Sequence, residues 1–111
     1  MEKFKLEVPE IEAEIYYLTP EEGGRKTAIY SGYRGQFFYD GMNFDAPQEF
    51  IDKEICNVGE TVRVYLQTVN PKNHMGKLFV GKYFEIREGI KVVGKGKITK
   101  IIRTDFNKKT K

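Results

Sequence analysis

Three groups of residues have types and spacings from which chemistry could be built, and each lacks a necessary part. The string Gly89-Ile90-Lys91-Val92-Val93-Gly94-Lys95 fits the opening of a phosphate-binding loop, in which glycine backbone cradles the phosphates and the lysine reaches them. The next position should be Ser or Thr to hold magnesium, with a helix N-terminus behind it to receive the anion. Gly96 stands there instead, inside a run that alternates with period 2. Binding of GTP or ATP is therefore not expected. Cys56 and His74 are the sole thiol and the sole imidazole, the minimum for a nucleophile and its base. Cys56 follows Ile55 and reads as a small core residue, whereas His74 lies in a polar, loop-like stretch. The carboxylate pairs Glu12/Glu14 and Glu21/Glu22 lack apolar neighbours that would raise one pKa and make it a general acid. One Cys and one His cannot assemble the usual zinc ligand sets or an internal disulfide, so neither metal nor cofactor is expected. The chain reads as a binding module and not as an enzyme.

The elements that must position any site are strands. Ile11 to Leu18 alternates, with Ile11, Ala13, Ile15 and Tyr17 on one face and carboxylates on the other. Thr19 to Lys26, with Pro20 and the pair Gly23-Gly24, is a loop. Gln36 to Tyr39 and Thr61 to Val69 are strand-like, the latter with Val62, Val64 and Leu66 on one side. Pro47 to Ile55 is open between a short helix and an irregular strand. Asn70 to Leu78 is a polar connection. Tyr83 to Arg87 and Ile90 to Ile102 form a hairpin turning at Glu88-Gly89, with Val92, Gly94, Gly96 and Ile98 inward and Lys91, Lys95 and Lys97 outward. Inward glycines predict a coiled or bulged strand at a barrel corner. Asp105 onward reads as a frayed polar tail.

With 111 residues, seven Tyr, eight Phe and 11 scattered Gly, the chain suits one all-β domain. Antiparallel strands without long helical crossovers leave a closed barrel or a sandwich, and closure favours the barrel because it hides strand edges. The expected organisation is an N-terminal extension over 1–9, a barrel over 10–103 and a basic tail over 104–111. No basic, apolar leader and no long apolar span is present, so a reducing cytoplasm is the expected location and no membrane the expected partner. Net charge is +3, yet residues 1–60 hold 6 Lys/Arg against 13 Asp/Glu and residues 61–111 hold 13 against 3. Strands from both halves interleave in a barrel, so this asymmetry along the chain makes an anionic partner worth testing without placing it.

Three separated motifs carry a resemblance: Glu21-Glu22-Gly23-Gly24-Arg25-Lys26-Thr27; Ser31-Gly32-Tyr33-Arg34-Gly35-Gln36-Phe37; and Phe84-Glu85-Ile86-Arg87-Glu88-Gly89 with Val92-Val93-Gly94-Lys95-Gly96. In this order they resemble the C-terminal barrel, domain III, of bacterial elongation factor Tu, over residues 10 to 103. The resemblance implies a closed six-stranded antiparallel β-barrel of Greek-key type. It also implies a role in gripping the T-stem backbone of aminoacyl-tRNA. On that basis Arg25 approaches phosphate, Gln36 bonds the sugar-phosphate backbone, and Glu88 and Gly89 lie against the minor-groove face, contacts that read shape. Lys91, Lys95 and Lys97 are expected to add positive charge beside them. The alternative for these positions is structural: surface charge for Arg25 and Glu88, barrel geometry for Gln36 and Gly89.

The chain departs from the family where Lys26, Thr27 and Ala28 replace His then Thr-Pro, and where Gly35 replaces proline before Gln36. Asp40 and Asp45 stand in a stretch that is basic and hydroxyl-bearing in the family. The loop from Asn70 to Tyr83 is about four residues longer, a place for a new contact. Two functions follow: a module for tRNA or other structured RNA, or a protein-interaction module that binds elongation factor Tu or one of its partners by imitating its third domain.

Overall fold

The computed structural model describes residues 3–109. Apolar alternation builds β1 (Ile11–Tyr17), whose Ile11, Ala13, Ile15 and Tyr17 are all fully buried. It is followed by β2 (Ile29–Tyr30), β3 (Gln36–Tyr39), β4 (Met42–Asp45), β5 (Gln48–Phe50), β6 (Ile55–Cys56), β7 (Thr61–Leu66), β8 (Tyr83–Glu88) and β9 (Lys91–Ile101). Seven strands make one antiparallel sheet in the order β4-β3-β8-β9-β1-β7-β5, and β2 pairs with β6 in a separate ribbon.

This corrects the expected closed six-stranded barrel: among the described residues the sheet has seven strands and no ladder closes it. It is nevertheless curled, for a reason visible in the connections. β4 and β5 lie at opposite edges but are joined only through Ala46 and Pro47. Three Cα steps reach at most about 11 Å, whereas seven strands laid flat would span roughly 29 Å. The edges must therefore approach each other, and single hydrogen bonds fill the gap, from Gly32 N to Gln48 O (2.7 Å), Gln48 N to Tyr33 O (3.0 Å) and Val69 N to Asp45 O (3.2 Å). The extra strand β4 arises from a tight turn at Asp40 (φ 50°) and Gly41 (φ 80°), left-handed positions that suit a two-residue hairpin.

The undecided segment 47–55 resolves into β5, a bend and β6, with no helix. The β8–β9 turn falls at Gly89-Ile90, one residue later than expected. Register slips beyond it, so that Ile86 faces Gly94 while Arg87 faces Val92. The slip buries Val93 and leaves Val92 only half-buried, in place of the simple alternation from Val92. Gly94 and Gly96 are small because neighbours fill their space: a Cβ on Gly94 would meet Ile15 and Tyr17 at 3.1 and 3.2 Å, and one on Gly96 would strike the Phe84 ring.

Two further expectations are overturned by packing. Phe106 is fully buried in a single 3-10 turn (Thr104–Phe106), and Leu78 N donates to Phe106 O at 2.9 Å, so the stretch from Asp105 to Lys108 is docked and not frayed, while the last two residues of the expected tail lie outside the described residues. His74 is 1% exposed, although it sits among polar residues in sequence. A 3-10 turn (Pro71–His74) rotates its ring inward, where Tyr39 OH lies 2.6 Å from Nδ1 and the rings of Phe37, Phe44 and Phe106 surround it.

Val62, Val64, Leu66, Ile11, Ile15, Phe84, Ile86 and Ile98 are buried together, as the alternation predicts. Leu66→Ala should cost about 2–5 kcal/mol through lost transfer and a residual cavity, and Gly96→Ala about 1–3 kcal/mol by overpacking. Urea denaturation checks both, and near-wild-type midpoints would contradict this register. Burial pushes the His74 imidazole down to about 4, Glu10 opposing the shift and Lys77 adding to it. The native state thus resists a proton that the unfolded chain accepts near its ordinary pKa. His74 stabilises the fold above about pH 6.5, and that stability falls as pH drops towards 4, by on the order of 3 kcal/mol. Unfolding free energies from pH 7 to 4 should fall less steeply in His74→Gln than in the wild type.

Candidate functional site

A nucleophilic site is not assembled. The Cys56 thiol is fully buried, its pKa pushed up by burial, and its polar neighbours are the carbonyls of Asn57 and Glu60 at 3.5 and 3.6 Å. His74 is committed to Tyr39. The phosphate-loop-like string forms the β8–β9 turn and the first half of β9, without a helix behind it.

The structure does gather some of the candidate binding residues at the β8–β9 tip. Arg25 leaves its loop just after the left-handed Gly23 (φ 93°), which ends a 3-10 turn (Pro20–Glu22). That turn is closed by a capping box in which Thr19 and Glu22 bond each other's backbone, and Glu22 also accepts from Tyr16 OH at 2.7 Å. The Arg25 guanidinium donates to Glu88 and to Thr27 Oγ1 (3.0 Å) and lies 5.2 Å from the centre of the Tyr33 ring. Tyr33 OH donates to the same Glu88 oxygen. Burial alone would raise the Glu88 carboxyl, but the hydrogen bonds from Tyr33 and Arg25 prevail and hold it below the usual range. Burial and the facing carboxylate together push the Tyr33 phenol far up, so it stays a donor. Gly89 (φ 64°) makes the turn, and Lys91 is exposed across from Glu88.

The other candidates stand apart. Gln36 faces Arg87 across β3 and β8, half-buried, with its Oε1 buried and unpartnered among the described residues. Lys95 and Lys97 lie on the outer face roughly 13 and 20 Å along the strand from Lys91. There they flank acidic β1: Lys97 pairs with Glu14 at 3.8 Å, and Arg63 on β7 pairs with Glu12 at 3.5 Å. The opposite charges of the two chain halves therefore interdigitate across β7, β1 and β9. Asp40 lies at the other end of β3 from Gln36 and pairs with Lys82 at 3.0 Å, whereas Asp45 is directly opposite Gln36.

Sequence reasoning did not assign Tyr33, Lys26 or Arg34, which adjoin Arg25 and Gln36 in the quoted motifs. Tyr33 could have been found from its place between Gly32 and Arg34, but its bond to Glu88 spans 55 positions. Lys26, Arg34, Lys91 and Lys95 are in no ion pair among the described residues.

The described residues form a small, curled, antiparallel all-β domain in which Arg25, Glu88 and Gly89 meet at the β8–β9 tip. Residues 6–102 match the family model of the elongation factor Tu C-terminal domain, which covers most of the chain. The chain belongs to that family, whose domain is a non-catalytic β-barrel. No helix among the described residues is long and apolar enough to cross a membrane.

Proposed function

We propose that this chain is a non-catalytic module that grips structured RNA, in particular tRNA-like stems, through backbone contacts at the β8–β9 tip. One observation carries the reading: Arg25 is fixed in place by Glu88, Thr27 and Tyr33, with Lys26 next to it in the chain and Lys91 across from Glu88, both exposed and in no ion pair among the described residues. Glu88 cancels one charge, and the remaining cations face water. A pre-oriented guanidinium with exposed cations beside it suits a phosphate backbone read by shape. Gly89 keeps the turn low enough for a backbone to approach. In this reading Lys95 and Lys97 supply longer-range attraction and Gln36 a neighbouring polar contact. The setting would be the cytoplasm, where translation supplies such RNA.

A second reading has its own observation. Ile90 at the tip is 95% exposed, and Phe79 and Val80 in the long loop are 42% and 61% exposed. Such apolar groups suit a protein partner, either elongation factor Tu or a protein that binds it. Salt separates the two, because only phosphate neutralisation releases condensed counterions.

Bulk tRNA binding at low salt tests the proposal. The double variant Lys26→Glu/Lys91→Glu should weaken binding across sequences and make the log–log salt slope shallower by about 0.7–0.9 per lost phosphate contact. Lys95→Glu/Lys97→Glu should act in the same direction but less strongly. Absence of detectable wild-type affinity at low salt would end the RNA reading, and capture of a protein abolished by Val80→Asp would replace it.

A further inference from the structure

The outer face of the sheet carries aromatic rings that the core does not need. Phe38 on β3 faces Glu85 on β8, Glu85 faces Lys95 on β9, and Lys95 faces Tyr16 on β1, forming one row across four strands. One step along, Tyr83 faces Lys97 and is 75% exposed despite standing on an interior strand. Tyr83 is the wall between two grooves, of about 430 Å³ towards Phe38, Asp40 and Glu85 and about 290 Å³ towards Glu14, Tyr16 and Thr61. Both share Lys95 and Gly96. Because the Gly96 position is filled from inside by Phe84, it presents bare backbone between the two lysines.

The charges of the larger groove identify what fits it. Asp40 is paired with Lys82 at 3.0 Å and Glu85 with Arg87 at 2.6 Å. Arg87 also lies flat against Phe38, 3.5 Å from its ring centre, and Lys82 stands 5.2 Å from the rings of Tyr39 and Phe79. A cationic ligand would have to compete with Lys82 and Arg87 for both carboxylates and for these aromatic faces. Lys95 is exposed and without an ion pair among the described residues, so the unspent charge of the groove is positive. An acidic side chain could use Lys95 but has no flat ring of its own to lay on Tyr83. A ligand that joins a planar ring to an anion satisfies both.

Resting on the RNA reading above, we propose that this face holds an unstacked nucleotide of a single-stranded segment. Its base lies between Tyr83 and the Phe38–Arg87 stack, and its phosphate lies on Lys95. A duplex end gripped at the tip could thus be distinguished from a neighbouring single strand, since base–aromatic stacking needs a base free of its helix.

The test is fluorescence anisotropy at low salt with two labelled probes, an eight-nucleotide single-stranded RNA and a closed RNA hairpin, against wild type, Tyr83→Ala, Tyr83→Phe and Lys95→Gln. Tyr83 is exposed, so thermal melts should show the variants folded. Loss of stacking should raise the single-strand Kd about 5- to 150-fold in Tyr83→Ala. Tyr83→Phe should stay near wild type, Lys95→Gln should weaken binding and flatten its salt dependence, and hairpin affinity should be unchanged in Tyr83→Ala. If the hairpin binds while Tyr83→Ala keeps full single-strand affinity, this inference falls and the RNA reading stands. If neither probe binds the wild type, both fall.

Discussion

The alternation of β1 is the constraint on which the rest of the molecule depends. Its inner side chains are sealed in the core, and each of its outer positions faces a partner on β7 and another on β9. A slip of one residue would turn four apolar groups to water and bring two carboxylates inside. The start of the strand is locked by Glu10, a buried carboxylate that accepts from Thr68 N and Oγ1 at 2.7 Å and from Arg103 Nη1 at 3.0 Å. One side chain thus ties the beginning of β1 to the chain leaving β7 and the chain leaving β9. Removing one partner would leave a buried charge or donor exposed to its desolvation cost.

From that fixed strand the remaining geometry follows. β9 is long enough to reach from Ile101, beside the start of β1, to the β8 turn, and the slip at Val93 bends it as it goes. The bend and the Ala46-Pro47 link between opposite edges curl the sheet. The curled sheet carries the β8–β9 tip to the loop that holds Arg25. The ion pair of Arg25 with Glu88 joins residues 63 positions apart, so the candidate site exists only when the sheet is complete.

Much of this was legible in residue pattern. Period-2 runs located β1, β7, β8 and β9, with β7 ending at Leu66 and not at Val69, and the strand-like residues Gln36 to Tyr39 located β3. The strand count was not legible, because β4 and β5 are short segments whose existence depends on pairing with β3 and β7 and not on their own propensity. Nor was the burial of His74 and Phe106, since each lies in a polar stretch and turns inward through one 3-10 turn, too short to leave a periodic signature. For the site, motif resemblance singled out Arg25, Glu88 and Gly89, which the fold does bring together. It could not foresee that Glu88 neutralises Arg25, or that Lys97 is spent on Glu14, because both pairs are made across strands.

Contact with RNA through the hairpin tip and its loop cations would leave its mark on the amides of that tip. Amide chemical-shift mapping of the labelled protein titrated with tRNA tests it most directly. The largest shifts should fall on Arg25, Lys26, Tyr33 and Gly89 to Lys91. Shifts centred instead on Met75 to Val80, or none at saturating tRNA in low salt, would contradict it.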